Sequence, residues 1–234
     1  KLKKISLHFP ILPGTSSWLS LGTRRENARQ NIQRAVHCAL QYGAEGTLIT
    51  DWGDRGHHQF WVSSWIPVFQ MAGAAWAGAL PDNASLRRAL SLFLDWSAET
   101  DWAEILLRIA SLDQHFSHKP HNASPLYQFL VADPEGLREL QEKIAPAELK
   151  SAAHQIQDLL SQVPPDVPDP QPQILHTLKL LEIAVQRGLG TARAEHLRKL
   201  LPSYSKVRLR ESRPGGLAES MGHLHQVVAW IAEA

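Results

Sequence analysis

The pattern of apolar and polar residues over positions 1–80 predicts two short strands, each followed by a helix. The strands are expected at residues 9–12 and 46–50, and the helices at residues 23–42 and 64–80. Strand, helix, strand and helix with short connections is the βαβ pattern, which places the two strands parallel in one sheet. Two strands alone leave both edges unpaired. We therefore expect this stretch to be the end of a larger α/β domain whose beginning is missing.

Residues at the ends of the first helix carry boundary signals. Thr23 and Glu26 have the three-residue spacing of a capping box. Gly43 follows the last apolar residues of the pattern, where a helix C-terminus favours glycine. These signals predict a helix from about Thr23 to Gly43.

Helical patterns dominate from Asp82 onward. Asp101 and Asp133 are interpreted as helix caps, and Pro146 as the start of another helix. Five prolines in residues 164–172 predict a stiff extended linker. Three helices are expected after it, at residues 174–187, 191–201 and 217–231, with residues 206–213 interpreted as a solvated face near a strand-like connector.

The expected fold is thus an α/β segment followed by a mostly α-helical region, and the chain is predominantly helical overall. The predicted division lies between residues 1–80 and residues 81–234.

Composition and charge narrow the possible partners. The 24 Lys and Arg residues nearly balance 23 Asp and Glu, and the formal net charge of +1 argues against a nucleic-acid or membrane-surface protein. No apolar run approaches a membrane span. Cys38 is the one cysteine, so no internal disulfide forms. The lack of a signal peptide favours a cytoplasmic location, although the expected loss of the true N-terminus leaves the compartment open.

Both predicted strands end in polar loops that contain tryptophan. Trp18 closes residues 13–18 (PGTSSW), and Trp52 lies between Asp51 and Asp54 in residues 50–59 (TDWGDRGHHQ). An indole packs on the C–H face of a sugar ring, while a carboxylate accepts hydrogen bonds from neighbouring hydroxyls. The alternative is structural: Trp52 in the core, Asp51 as a helix cap and Asp54 as a solvated loop residue.

The loops at residues 13–18 and 50–59, with residues 25–31 and 42–46, resemble the last two strand-helix units of a bacterial subgroup of family 20 glycoside hydrolases, the β-N-acetylhexosaminidases. Residues 213–217 (RPGGL) and Ser220 are similar to the helix that ends the subgroup's C-terminal region. The resemblance implies a (β/α)8 barrel of which this chain holds strands seven and eight, followed by a helical extension.

Family membership implies release of terminal N-acetylhexosamine with retention, through attack by the substrate's own acetamido oxygen. The family's catalytic Asp-Glu pair does not occur in this chain, so no catalytic residue is predicted and activity of the chain alone stays open. The resemblance implies that Trp52 and Asp54 bind the sugar and that Trp18 forms another part of the wall of the sugar subsite. His57 also matches a motif position, but the motif does not indicate its role. Leu19 and Arg55 depart from the family pattern, which has Asn at both positions.

The expected partners are an N-acetylhexosamine-terminated glycan and either the remainder of the barrel or a second copy of the chain. No cofactor is expected. A metal site at His115, His118 and His121 is disfavoured because these residues lie in a polar loop without a helix-fixed partner. The alternative functions are a non-catalytic helical interaction module and a carbohydrate-binding relic.

Overall fold

The computed structural model describes residues 8–93, 100–164 and 172–233. Within these ranges the chain is predominantly helical and has two short strands, as expected for its overall class. The strands are β1 (Pro10–Ile11) and β2 (Gly46–Thr47). The helices are α1 (Arg25–Tyr42), α2 (Trp61–Ala77), α3 (Asn83–Phe93), α4 (Trp102–Ile109), α5 (Pro125–Val131), α6 (Pro134–Lys143), α7 (Pro146–Ser161), α8 (Pro172–Gly188), α9 (Ala194–Glu211) and α10 (Leu217–Glu233).

The two strands pair in parallel on either side of α1, so the predicted βαβ pairing is confirmed. Pro10 pairs with Gly46, and Ile11 pairs with Thr47. A further parallel bridge joins Gly14 to Thr50. Backbone hydrogen bonds extend this ladder from the Phe9 carbonyl to the Thr15 N–H, so the contact is longer than the two regular strands.

The strand pair is covered on one face and open on the other. Ile49 packs against a small core formed by α1 and α2, which contains Ile32, Val36, Met71 and Ala74. Leu12 and Leu48, which follow the paired residues Ile11 and Thr47, are exposed. Because successive strand residues point to opposite faces, an apolar face of this small sheet lies open.

A second and larger core joins the first 80 residues to the helical region. Leu21, Phe60 and Ile66 belong to the same buried cluster as residues of α4, α5 and α7 to α10. The helix α8 packs against α5, α6, α7 and α9. The segment that follows β2 is therefore anchored in the helical core. No helix within the described ranges is both long enough and apolar enough to cross a bilayer.

The predicted capping box at the start of α1 is wrong. The helix begins at Arg25, and Thr23 has a left-handed backbone with φ of 72°. The Thr23 hydroxyl donates to the Ser63 carbonyl at 2.6 Å, so it serves a tertiary contact and not the helix end. Glu26 pairs instead with Arg29 on the same helix. The C-terminal signal is confirmed, because Gly43 adopts the left-handed conformation with φ of 69°.

The boundary predicted near residue 201 is also wrong, because α9 continues through Pro202 to Glu211. Its buried residues Leu200, Tyr204, Val207 and Arg208 recur at helical spacing, and their burial outweighs the hydrogen bond that proline removes. Residues 206–211 are thus helix and not a strand-like connector.

The predicted caps at Asp101 and Asp133 are confirmed, since they accept from the N–H groups of Glu104 at 2.9 Å and Gly136 at 2.8 Å. Most of the predicted proline-rich linker, residues 165–171, lies outside the described residues.

Candidate functional site

The loops that follow the two strands meet around the Gly14–Thr50 bridge. The Thr15 hydroxyl donates to one carboxylate oxygen of Asp51. The Ser64 hydroxyl, from the first turn of α2, donates to the other oxygen at 3.0 Å. Asp51 therefore connects both loops to α2 through side chains, and it does not cap the helix as the structural alternative proposed.

Trp18 is a half-buried residue of the first loop. The Arg24 guanidinium lies over its ring, with 4.8 Å between the guanidinium carbon and the ring centroid. The ring also lies so close to Gly14 that a β-carbon there would be 2.8 Å from a ring atom. Any side chain at position 14 would therefore displace the indole. Glycine and arginine together fix the position of Trp18 next to the bridge.

Trp52 is a surface residue with 57% of its area exposed. Its indole N–H donates to the Thr50 hydroxyl at 3.2 Å, and its backbone carbonyl accepts from the Gln59 amide at 3.1 Å. The hydrogen bond to Thr50 thus fixes one edge of the indole, while much of the ring is exposed to solvent. The alternative that Trp52 is a core residue is wrong.

Asp54 and His57 lie on the tight 3₁₀ turn Asp54–Gly56 and directly after it. The Asp54 carboxylate is exposed and has no hydrogen-bond or ion-pair partner among the described residues. The His57 ring packs against Gly53, with its centroid 6.2 Å from that of Trp61. Burial, followed by the charge of Arg208, lowers the pKa of His57. Its Nε2 atom is buried without a partner in the described part of the chain.

The backbone of this turn is unusual. Arg55 has φ of 50° and His57 has φ of 49°, and both are non-glycine residues in the left-handed region. Each such residue costs about 1 kcal/mol or more, so the surrounding contacts must hold the turn in place.

Those contacts come from the helical region. The Ser220 hydroxyl of α10 donates to the Gly56 carbonyl. The Tyr204 hydroxyl of α9 donates to the His58 carbonyl at 3.0 Å, and Arg208 donates to the Gln59 carbonyl at 2.8 Å. Three side chains from two distant helices therefore fix the backbone that follows Asp54.

Arg208 also forms a buried ion pair. Its guanidinium lies 2.7 Å from Glu211 and stacks over Phe60, 5.5 Å from the ring centroid. The Glu211 carboxylate accepts from the Trp61 N–H at 3.2 Å, at the start of α2. Burial raises the pKa of Glu211 to about 7, while Arg208 and the Trp61 N–H act in the opposite direction. Sequence reasoning missed this arrangement, in which Glu211 caps a helix 150 residues away.

The structure brings together the two segments that carry the resemblance at opposite ends of the chain. Gly53, residues 55–57 and eight residues between Arg208 and Ser220 line one cavity of about 320 Å³. The histidines His115, His118 and His121 lie elsewhere, near the loop before α5. In the described ranges no group of three or more potential metal ligands is close enough to hold an ion.

The sequence matches no protein-family model, and it matches no curated protein.

Proposed function

We propose that residues 13–18 and 50–59 form part of the wall of a sugar pocket in an exo-acting β-N-acetylhexosaminidase, of which this chain is the C-terminal portion. The observation that carries the proposal is that Trp52 and Asp54, two residues apart in the loop after β2, are both exposed at the carboxyl end of a parallel strand pair. Ligands of α/β barrels bind at this end of the strands.

The chemistry of the two side chains is complementary to a pyranose. Trp52 offers an apolar surface for the C–H face of the ring, and Asp54 offers acceptors for two neighbouring hydroxyls. Trp18 supplies a second wall at the same strand end, and His57 lies on the same turn as Asp54. The strained conformations of Arg55 and His57 support a functional role for this turn, because such strain is typical of ligand-binding loops.

The catalytic Asp-Glu pair would come from the remainder of the barrel. In the proposed substrate-assisted retaining mechanism, that pair orients the acetamido group and protonates the leaving oxygen. The chain itself would bind the sugar and not hydrolyse it. The open face at Leu12 and Leu48 supports a partner of this kind, because barrel strands are covered on both faces.

Titration of the chain with N-acetylglucosamine, followed by tryptophan fluorescence, tests the binding role. We expect a dissociation constant on the order of millimolar. W52A should abolish saturable binding, and D54N should weaken it by roughly 5- to 30-fold through loss of charge-assisted hydrogen bonds. The matched control is W76A, which removes a tryptophan that is 95% exposed on α2, outside the site. Equal effects of W52A and W76A would contradict the assignment.

A second test uses a protein that carries the whole barrel. There W52A and D54N should lower kcat/KM for an N-acetylglucosaminide, while W76A should not. Unchanged kcat/KM in both site variants would show that the indole and the carboxylate do not contact the substrate.

The second candidate function is a non-catalytic interaction module, and the open apolar face at Leu12 and Leu48 favours it. Light scattering after size exclusion separates the two functions. A defined oligomer would indicate that a second copy covers the strands. A stable monomer that shows no sugar binding would contradict both candidate functions.

A further inference from the structure

The cavity between the turn Asp54–Gly56 and the junction of α9 and α10 has a strongly cationic lining. Its volume is about 320 Å³, and its walls come from Gly53 and residues 55–57 on one side and from eight residues between Arg208 and Ser220 on the other. Arg55 from the turn and Arg213 from the helix junction are among the lining residues, together with Arg208 and His57, and Arg55 also lines a second cavity beside α5 and α6. Glu219 is the one carboxylate among the lining residues.

Arg55 and Arg213 differ from Arg208 in their pairing within the described part of the chain. Neither Arg55 nor Arg213 forms a hydrogen bond or an ion pair within the described ranges, whereas Arg208 is neutralised by Glu211. Two guanidinium groups against one carboxylate leave an excess of positive charge inside one concavity. Guanidinium groups bind the oxygens of phosphate, sulfate and carboxylate in fork-like pairs of hydrogen bonds.

One further feature of the lining favours an anion. The helix α10 starts at this cavity, with Gly216 and Leu217 in the wall, and the positive end of its dipole attracts negative charge. The effect is that of the dipole, because the Leu217 N–H is already bonded to the Pro214 carbonyl.

We propose that this cavity binds a tetrahedral oxyanion, a phosphate or sulfate monoester group. The volume accommodates such a group together with part of the molecule that carries it. Since Arg55 and Asp54 are adjacent in one turn, the ester would belong to the glycan whose terminal sugar contacts Trp52 and Asp54. That last step rests on the proposed function, whereas the anion site itself does not.

The experiment is a calorimetric titration of the 234-residue chain with sodium sulfate and, separately, inorganic phosphate, at constant ionic strength. Both anions should bind, and R55Q and R213Q should each weaken binding by roughly 5- to 20-fold, in line with loss of one charge-assisted contact. The double variant should show no saturable binding. K206Q is the matched control, because it removes one exposed positive charge from α9 outside the cavity. It should change the dissociation constant by less than 2-fold.

Two results would overturn the proposal. One is an equal loss of anion affinity in K206Q and R213Q, which would show that binding depends only on the net charge of the protein. The other is sulfate binding that survives in the R55Q R213Q double variant. Both arginines are exposed, so the variants should fold, and their unfolding temperatures check this. W52A separates this site from the proposed sugar pocket, because it should lose N-acetylglucosamine binding and retain sulfate binding.

Discussion

The buried ion pair Arg208–Glu211 should be the contact through which the helical region most strongly supports the candidate site. Only 6% of the Arg208 side chain and 11% of the Glu211 side chain are exposed. Arg208 also donates to the Gln59 carbonyl, and Glu211 accepts from the Trp61 N–H. Removing Glu211 leaves the Arg208 charge buried without compensation, and removing Arg208 forces the buried Glu211 carboxylate to take up a proton or stay unpaired.

The free energies can be estimated from these contacts. R208M should lower the free energy of unfolding by about 3–5 kcal/mol, and E211M by a similar amount, because each breaks a buried pair. The double variant R208M E211M removes both charges, and its remaining cost is the loss of acceptor and donor partners for Trp61 and Gln59. Each such group costs about 1–3 kcal/mol. The double variant should therefore be more stable than the sum of two single losses predicts, by about 3 kcal/mol or more.

Urea unfolding of the wild type, R208M, E211M and the double variant measures this coupling energy. The same helix offers a matched control in Lys199–Glu195, a pair whose side chains are 74% and 63% exposed. Its cycle, with both residues replaced by methionine, should give a coupling of about 0.5 kcal/mol or less.

A coupling at Arg208–Glu211 no larger than that at Lys199–Glu195 would refute the reasoning. It would mean that water reaches the pair in solution and that the helical region does not hold the loop through a desolvated charge. Strict additivity of the two single losses would have the same meaning.

Two other buried groups give sharp expectations. Arg187 donates to the carbonyls of Phe129, Leu130 and Ala132 at the end of α5, at 3.0, 2.5 and 2.9 Å. R187M should therefore lower the free energy of unfolding in urea by about 3 kcal/mol or more. The exposed control R138M should change it by no more than about 0.5 kcal/mol, and equal losses in the two variants would contradict this role. Burial and then His223 lower the pKa of His58 from 6.5 to about 4. The folded state therefore binds a proton on His58 less tightly than the unfolded state does. As the pH falls from 6.5 to 4, His58 lowers the free energy of unfolding by roughly 3 kcal/mol in total. The stability deficit of H58Q relative to the wild type should therefore shrink over that interval, and a deficit independent of pH would show that His58 titrates normally.

The elements that could be predicted from the sequence are those whose signals are local. The parallel strand pair follows from two short apolar runs separated by a helical pattern, and Gly43 and Asp133 are recognisable because their roles involve residues within four positions. The capping box failed because the Thr23 hydroxyl bonds Ser63, 40 residues later. The end of α9 failed because burial of Tyr204 outweighs the effect of Pro202. Local propensity carries no information about such tertiary contacts.

The candidate site divides in the same way. Trp52 and Asp54 are suggested by residue type and position, and both are exposed, as the proposed binding role requires. The contacts of Tyr204, Arg208 and Ser220 with the loop span 146 to 164 residues. No periodicity or motif predicts pairs at such separations. The cationic cavity is formed by the same long-range contacts, and the sequence does not predict it either.

These contacts assign the helical region a physical role at the strand-end loop. A turn with two non-glycine residues in left-handed conformations persists only if its surroundings over-determine it. Here α9 and α10 supply that constraint, because their side chains bind the carbonyls of Gly56, His58 and Gln59 in succession. Loosening these hydrogen bonds would let the turn relax and would move Asp54 relative to Trp52. If the loop binds a sugar as proposed, the affinity should therefore depend on Arg208, even though this side chain contacts only the backbone of the loop.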